Sequence, residues 1–467
     1  MNINDTIAAI STPHGKGGVA VIRISGSDAI AVAERVFRPK SGKSLRALAP
    51  NMTVYGEINM PAAGDHPPQN IDDGMAVCFH APRSFTGEDT VEISCHGGIL
   101  VTGQVLSAIL TAGARQAEAG EFTRRAFING KLTLSEAEAL GALLEAQTQG
   151  QLLLSRNGMS GILSGELKTL YDSLCEIVTS VYAKIDFPDE DLAELSSAEI
   201  QTRLTAICTK LNKLCATYST GRAVCEGIRT VICGRTNAGK SSLYNHLVGR
   251  EAAIVTDIAG TTRDLLEETV TVGHVMLRLC DTAGLRESDD PVERIGITRA
   301  KEQLAQAECI LAVFDRSASL TEEDLSLLDR LRASTVPVLI LLNKCDLEAA
   351  WDADSVLDGF SAENILVIST ARNHGVDALR DRLEAMFLDG TLDLRSDAIV
   401  ANARQYAALL RAMEHIRNAQ DAADAAFSED VSCVDLELAM SALAEVDGRA
   451  VTEDIVSQIF SHFCVGK

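Results

Sequence analysis

Three spacings of apolar residues follow one another along the chain. From Thr6 to about Gly130, short runs such as Val19-Ala20-Val21-Ile22-Arg23-Ile24 and Thr90-Val91-Glu92-Ile93 alternate apolar and polar positions between Gly-rich turns and a few helical stretches. A period of two with turn punctuation predicts half-buried strands, and the segment as a whole an α+β module. Beyond Leu134 the chain is dominated by Ala, Leu, Glu and Gln through Leu152 to Thr220, with a break at Phe187-Pro188-Asp189, which predicts long helices. Near Ile228 the pattern changes again. Thr230-Val231-Ile232-Cys233, Leu277-Arg278-Leu279-Cys280, Ile310-Leu311-Ala312-Val313-Phe314 and Val338-Leu339-Ile340-Leu341-Leu342 are strand-like apolar runs separated by helical segments. Such alternation predicts a mostly parallel, doubly wound sheet. After about Leu388 helices return, so the all-helical domain is expected as two sequence-distant halves around an insertion. The expected boundaries are 1–131 for the α+β domain, 132–226 and 389–467 for the helical halves, and 227–388 for the inserted domain.

Length agrees with this division, because 467 residues exceed what one core serves, roughly 250–300 residues. With 46% hydrophobic and 23% charged residues the chain reads as a globular protein without a membrane span. A net charge of −23 requires any nucleic-acid contact to come from a local basic patch or a partner. The twelve cysteines form no C-x-x-C pair, so most read as small buried hydrophobes in a reducing compartment. Met1 to Gly18 carries neither a basic n-region nor an apolar h-region, which makes the cytoplasm the expected location.

The inserted domain carries the chemistry. Gly234-Arg235-Thr236-Asn237-Ala238-Gly239-Lys240-Ser241 follows a strand and opens a helix, the context a phosphate-binding P-loop requires. Its glycines let backbone N–H groups turn toward phosphates, Lys240 reaches the β and γ oxygens, and the Ser241 hydroxyl suits Mg²⁺. Asp281-Thr282-Ala283-Gly284 ends an apolar strand, where a carboxylate can reach the Mg²⁺ shell and a Gly amide the γ-phosphate. Asn343-Lys344-Cys345-Asp346 closes a later strand, and an Asp there can accept two hydrogen bonds from the N1 and N2 edge of guanine. The nucleotide is therefore expected to be GTP rather than ATP. Ser369-Thr370-Ala371 occupies the place of the last guanine-side loop, and Thr256–Asp264 that of a switch loop, with Thr262 the candidate for Mg²⁺. The expected GTP contacts are Asn237, Ala238, Gly239, Lys240, Ser241 and Ser242; Thr256, Asp257, Ile258, Ala259, Gly260, Thr261 and Thr262; Asp281, Thr282, Ala283 and Gly284; Asn343, Lys344 and Asp346; and Ser369 with Ala371. Leu285 stands where many small GTPases keep a water-orienting Gln, so another group must orient water and neutralise charge.

Beyond these generic motifs, Val21–Gly26, Ser84-Phe85-Thr86-Gly87-Glu88-Asp89, His96-Gly97-Gly98, Gly120-Glu121-Phe122, Ala126-Phe127, Ile185–Glu190, Gly260-Thr261-Thr262-Arg263-Asp264 and Phe463-Cys464-Val465-Gly466-Lys467 make the chain resemble the tRNA modification GTPase MnmE (TrmE) family over essentially its whole length. The resemblance implies a multidomain protein: an N-terminal α+β folate-binding and dimerisation domain, a discontinuous all-helical domain, and an inserted Ras-like P-loop G domain. It implies a homodimer, and a heterotetramer with a flavin-dependent partner, MnmG (GidA). Together these install an aminomethyl-type group on carbon 5 of a tRNA wobble uridine. A 5-formyl- or 5,10-methylene-tetrahydrofolate donor would be held by residues matching Arg23, Glu92, Lys131 and Lys467, and the C-terminal catalytic Cys maps onto Cys464. A K⁺ held by Asn237, Thr256, Ile258 and Thr261 would replace an arginine finger, and Glu293 would orient the attacking water. Val465 departs from the family's usual Ile, and Thr236 from its usual Pro.

Plainer readings stand beside these. Arg23 and Glu92 in alternating strands read as solvated strand charges, and Lys131 as a loop cation. The stripe Ile455-Val456, Ile459-Phe460, Phe463 predicts a docked C-terminal helix over Glu453–Phe463 with Cys464 as a packing thiol. Arg263 and Arg286 compete with K⁺ as internal fingers. A ribosome-assembly GTPase would share the G motifs but needs a basic RNA-binding appendage, which this sequence lacks. A one-carbon transferase with a merely regulatory G domain is the other alternative. DNA is not expected as a partner.

Overall fold

The computed structural model describes residues 5–61, 69–186, 195–251, 267–280, 306–388, 390–424 and 429–466. Its contacts group the chain into two compact units, Met1–Gly141 with Ser441–Lys467, and Ala142–Met440.

In the first unit the alternating runs form β1 (Ile7–Ile10), β2 (Val19–Ser25), β3 (Phe37–Pro39), β4 (Thr53–Met60), β5 (Gln69–Phe79), β6 (Thr90–His96) and β7 (Arg115–Gln116). Their order across the sheet is β3-β4-β5-β6-β2-β1-β7, antiparallel throughout except for β1 with β7. The period of two is visible in β2, where Ala20, Ile22 and Ile24 are buried on one face. There they meet Ala29, Val32 and Val36 of helix Ala29–Val36 and Val105 and Ile109 of helix Ile99–Thr111. The opposite face is covered locally, since Phe122 of helix Glu121–Ile128 packs on Ile7 and Ala9 with Phe85 at its margin.

The C-terminal stripe docks in this unit. Helix Glu453–Ser461 buries Val456 and Phe460 against Leu134 and Ala137, with Phe127 and Phe463 packed beside them. It ends two residues before the expected Phe463, because the chain turns so that Val465 pairs with Ala119 in an isolated antiparallel bridge. Gly120 adopts φ 64°, and a Cβ there would stand against the Phe460 carbonyl. The glycine thus permits both the left-handed turn and the helix contact.

In the second unit β8 (Ile228–Cys233), β9 (Glu267–Val272), β10 (Val275–Cys280), β11 (Cys309–Asp315), β12 (Val338–Asn343) and β13 (Ile365–Val367) form a sheet in the order β13-β12-β11-β8-β10-β9. Every pairing is parallel except β9 with β10. The central strands β11 and β12 are buried at every position, as expected for a sheet covered on both faces. One face packs on Leu243, Leu247, Leu379 and Leu383, the other on Leu328, Leu331 and Leu357. The chain leaves β8 toward β10 on one side and β11 on the other, so the carboxyl end of β8 is the topological switch point where doubly wound sheets bind ligands. The same unit holds the helices Gln149–Met159, Ile162–Asp186, Ser197–Ala216, Tyr218–Cys225 and Ala403–Asp424, which pack largely on one another, with Tyr218–Cys225 also against β10. Two of them open with capping boxes, Thr148 with Gln151 and Ser196 with Glu199. No helix among the described residues is long and apolar enough to cross a membrane.

Candidate functional site

At the switch point Gly234 turns the chain out of β8 with φ 140°, a position where a Cβ would strike the Val313 carbonyl. Asn237 and Gly239 also have positive φ, 63° and 103°, and Lys240 then opens the helix Lys240–Glu251. Positive-φ residues alternating with ordinary ones just before a helix aim backbone N–H groups into one concavity, the geometry of an anion nest. Lys240 Nζ donates to the Arg235 carbonyl at 2.8 Å, bending the side chain back over the loop. Burial lowers the pKa of this ammonium from its ordinary value, opposing its charge.

The guanine-side loops are tied to the same place. Asn343, 1% exposed, donates through Nδ2 to the Ala238 carbonyl at 2.8 Å, and its Oδ1 accepts from the Thr370 amide at 3.1 Å. The Ser369 hydroxyl donates to Asp346 Oδ1 at 2.6 Å, a bond that holds the exposed Asp346 carboxyl below the usual carboxylate range. A carboxylate kept ionised in this way has its other oxygen available to N–H donors. Lys344, at φ 63°, directs Nζ to Asp315 Oδ2 at 2.7 Å. These elements enclose a cavity of about 790 Å³ lined by Asn237, Gly239, Lys240, Ser241, Ser242, Asn343, Lys344, Asp346 and Ala371 of the expected set.

Sequence reasoning missed Thr236, Asn245, His246, Leu347 and Thr370 in that lining, and Asp315 behind it. Thr370 lay inside a recognised triplet, and His246 lies one helical turn past Ser242, so both were within reach of a positional reading. Asp315 was not, because its meeting with Lys344 and Arg235 is made only by the sheet. Of the remaining expected residues, Thr256, Asp257, Ile258, Ala259, Gly260, Thr261, Thr262, Asp281, Thr282, Ala283, Gly284, Glu293 and Lys467 lie outside the described residues, as do Arg263, Leu285 and Arg286.

A second cluster sits in the first unit. Arg23 and Glu92 are register partners across β2 and β6, and Glu92 Oε1 accepts from Arg23 Nε at 2.8 Å and from Nη2 at 2.7 Å. The guanidinium lies 5.5 Å from the Phe85 ring centroid and 5.7 Å from that of Phe122, within cation–π range. Arg23 is therefore a paired, aromatic-flanked cation with its side chain 16% exposed, not a solvated strand charge. Lys131 Nζ donates to the Pro82 carbonyl at 3.1 Å. Below the rings, Arg125, itself buried, joins Asp5, Glu88 and Glu121, and Glu88 accepts from the Ser25 hydroxyl at 2.7 Å. The C-terminal tail runs beside these elements. The Gly120 amide donates to the Cys464 carbonyl at 3.4 Å and the Ser11 hydroxyl to that of Gly466 at 3.1 Å. The Cys464 thiol is exposed, so the packing reading of that residue does not hold.

Residues 6–131 match the family described as "GTP-binding protein TrmE N-terminus", and residues 134–464 the one described as "MnmE helical domain". The chain is 38% identical over 463 residues to the tRNA modification GTPase MnmE of Thermoanaerobacter sp. (strain X514), covering 99% of each chain. It is 38% identical over 468 residues to that of Clostridioides difficile (strain 630), covering 100% of each. With the protein of that name from Symbiobacterium thermophilum it shares 41% over 463 residues, 99% of each chain. Among solved structures, the G domain of the T. maritima FeoB iron transporter aligns at 21% identity over 34% of this chain and 97% of its own, with a TM-score of 0.26, a value that adds nothing to the fold described above. With both described families matched and full-length identity of this size, the chain belongs to the tRNA modification GTPase MnmE family.

Proposed function

We propose that the chain hydrolyses GTP in the service of tRNA modification. The observation that carries the nucleotide half is the single cavity shared by the P-loop and by Asp346, whose carboxylate is braced by Ser369. Lys240 and the amides that follow Gly239 bind the phosphates, and Asp346 accepts from the guanine N1 and N2 groups. The hydroxyl of Ser241, at the start of its helix in the cavity wall, suits a Mg²⁺ ligand, and the Asn237 side chain in the same wall suits a K⁺ ligand. Thr262 would complete the first set, and Thr256, Ile258 and Thr261 the second. Bound there, the cations supply charge stabilisation as phosphate is lost. Glu293 holds the attacking water in this reading.

The modification half rests on family membership and on the Arg23 cluster. Arg23, flanked by the rings of Phe85 and Phe122, and its partner Glu92 together offer donors and an acceptor to a pterin edge, which supports a tetrahydrofolate one-carbon donor there. Lys131 and Lys467 add cations for the donor's carboxylates, and Cys464 adds an exposed thiol at the end of a docked tail. The substrate is then the wobble uridine of tRNA, modified at carbon 5 by a homodimer acting with an MnmG-type flavoprotein in the cytoplasm. Mass spectrometry of wobble uridines from cells lacking this gene tests the reading. Loss of the carbon-5 modification is expected, and its full retention, with ribosome assembly impaired instead, would favour the ribosome-assembly alternative. Hydrolysis is expected to run faster in K⁺ than in Na⁺ at matched ionic strength; equal rates would transfer the finger role to Arg263 or Arg286.

A further inference from the structure

We infer that His246 is a positioning residue that sets how long guanine nucleotide stays bound, by holding the loop Ser369–Ala371 onto the P-loop helix. The inference rests on the nucleotide reading above. His246 lies in the helix that Lys240 opens, half-buried in the wall of the nucleotide cavity, and its Nε2 is hydrogen-bonded to the Thr370 carbonyl. A carbonyl only accepts, so Nε2 carries the proton. Thr370 itself is 6% exposed, and its amide and hydroxyl both donate to Asn343 Oδ1, at 3.1 and 3.3 Å.

The loop's other ties run to base-side residues, of which Asn343 also reaches the Ala238 carbonyl in the P-loop before the helix begins. Asn343 stands at the end of β12, Ser369 reaches Asp346, and Ser369 exchanges backbone hydrogen bonds with His374 at 2.9 and 3.0 Å. His246 differs from these because it joins the loop to the helix whose first residues, Lys240 and Ser241, meet the phosphates. Through Thr370 the base-side loop and the phosphate-side helix are made one rigid wall, and a wall fixed before binding loses less freedom when it closes on a ligand. The side chain lines the cavity on the face of Ser242, one helical turn further from the start of the helix, and its Nε2 is engaged by the Thr370 carbonyl. Its removal should therefore weaken ground-state and transition-state binding alike, raising KM and leaving kcat.

The test is release of a fluorescently labelled GDP from the full-length protein, followed by stopped flow, with steady-state GTP hydrolysis alongside, in His246→Leu and His246→Gln. Leu keeps volume without a donor, and Gln restores an N–H at a similar reach. Loss of one hydrogen bond of ordinary strength should speed release in His246→Leu about 3–10-fold and raise KM to match, with kcat within about twofold. His246→Gln should stay near wild type. Wild-type rates in both variants overturn the inference, equal acceleration in both assigns the effect to ring packing and also overturns it, and a fall in kcat at unchanged KM does the same. Failure of the wild-type protein to hold labelled GDP would instead count against the nucleotide reading itself.

Discussion

At the scale of single residues, the nucleotide cavity is organised around two carboxylates with different duties. Asp346 is exposed in the cavity lining, where the proposed function gives it the guanine edge, and the Ser369 hydroxyl favours its ionised form. Asp346→Asn should weaken GTP binding and shift preference toward xanthosine nucleotides, whose 2-oxo group suits an amide donor; unchanged GTP affinity in a titration would remove Asp346 from base recognition. Asp315 is 7% exposed and faces the protein. Burial opposes its ionisation, but hydrogen bonds from Lys344 Nζ and from the Ser317 amide and hydroxyl outweigh it and hold the carboxyl below the usual range. A folded-state pKa below the unfolded one contributes stability that is present above the unfolded value, about 3.9, and is lost as pH falls through the folded value. Asp315→Asn should thus cost about 1–2 kcal/mol at pH 7, and the gap should narrow below about pH 4. Urea midpoints at pH 7 and pH 3.5 measure it; a gap of equal size at both would show that the carboxylate's charge is irrelevant.

At the scale of elements, what could be read in advance followed how local each signal was. Gly234–Ser241 was legible because strand, turn and helix are contiguous, and β11 and β12 because unbroken apolar runs bounded by polar loops leave few alternatives. The stripe Ile455 to Phe463 foretold a docked helix, but its end at Ser461 depends on the bridge of Val465 to Ala119, a pairing made over hundreds of residues. Arg23 shows the same limit from the other side. Its alternation in β2 gave a solvent-facing side chain, and only the fold brings Phe85 and Phe122 onto that face. The docked helix can be tested directly. Phe460, 2% exposed, lies with ring centroids 6.2 Å from Phe127 and 5.5 Å from Phe463, so Phe460→Ala should cost about 3–5 kcal/mol of local stability. Hydrogen exchange in peptides spanning 453–463 and 134–141 should accelerate together, and protection unchanged in either would contradict the docking.

For the whole molecule, the grouping of the chain gives the two halves of the proposed function separate addresses. The nucleotide cavity is built from residues of Ala142–Met440, whereas Arg23, Glu92 and the tail through Gly466 belong to the unit formed by Met1–Gly141 and Ser441–Lys467. The tail is held by Gly120 at the Cys464 carbonyl, by the bridge at Val465 and by Ser11 at the Gly466 carbonyl, and none of these touches the P-loop. Cys464→Ser replaces an exposed sulfur by oxygen and leaves all three backbone ties in place, so it tests the thiol alone. Removing Val465–Lys467 cuts the last two ties and the terminal ammonium together, so it tests the tail as a structure. Both changes are expected to abolish wobble-uridine modification while GTP hydrolysis, measured by phosphate release, stays within about twofold of wild type. The pair also discriminates between causes. Full modification in Cys464→Ser with none after deletion would make the tail a lid for the Arg23 cluster and the thiol a bystander, and collapse of hydrolysis in both would mean that the C-terminus supports the fold of the whole chain rather than one chemical step.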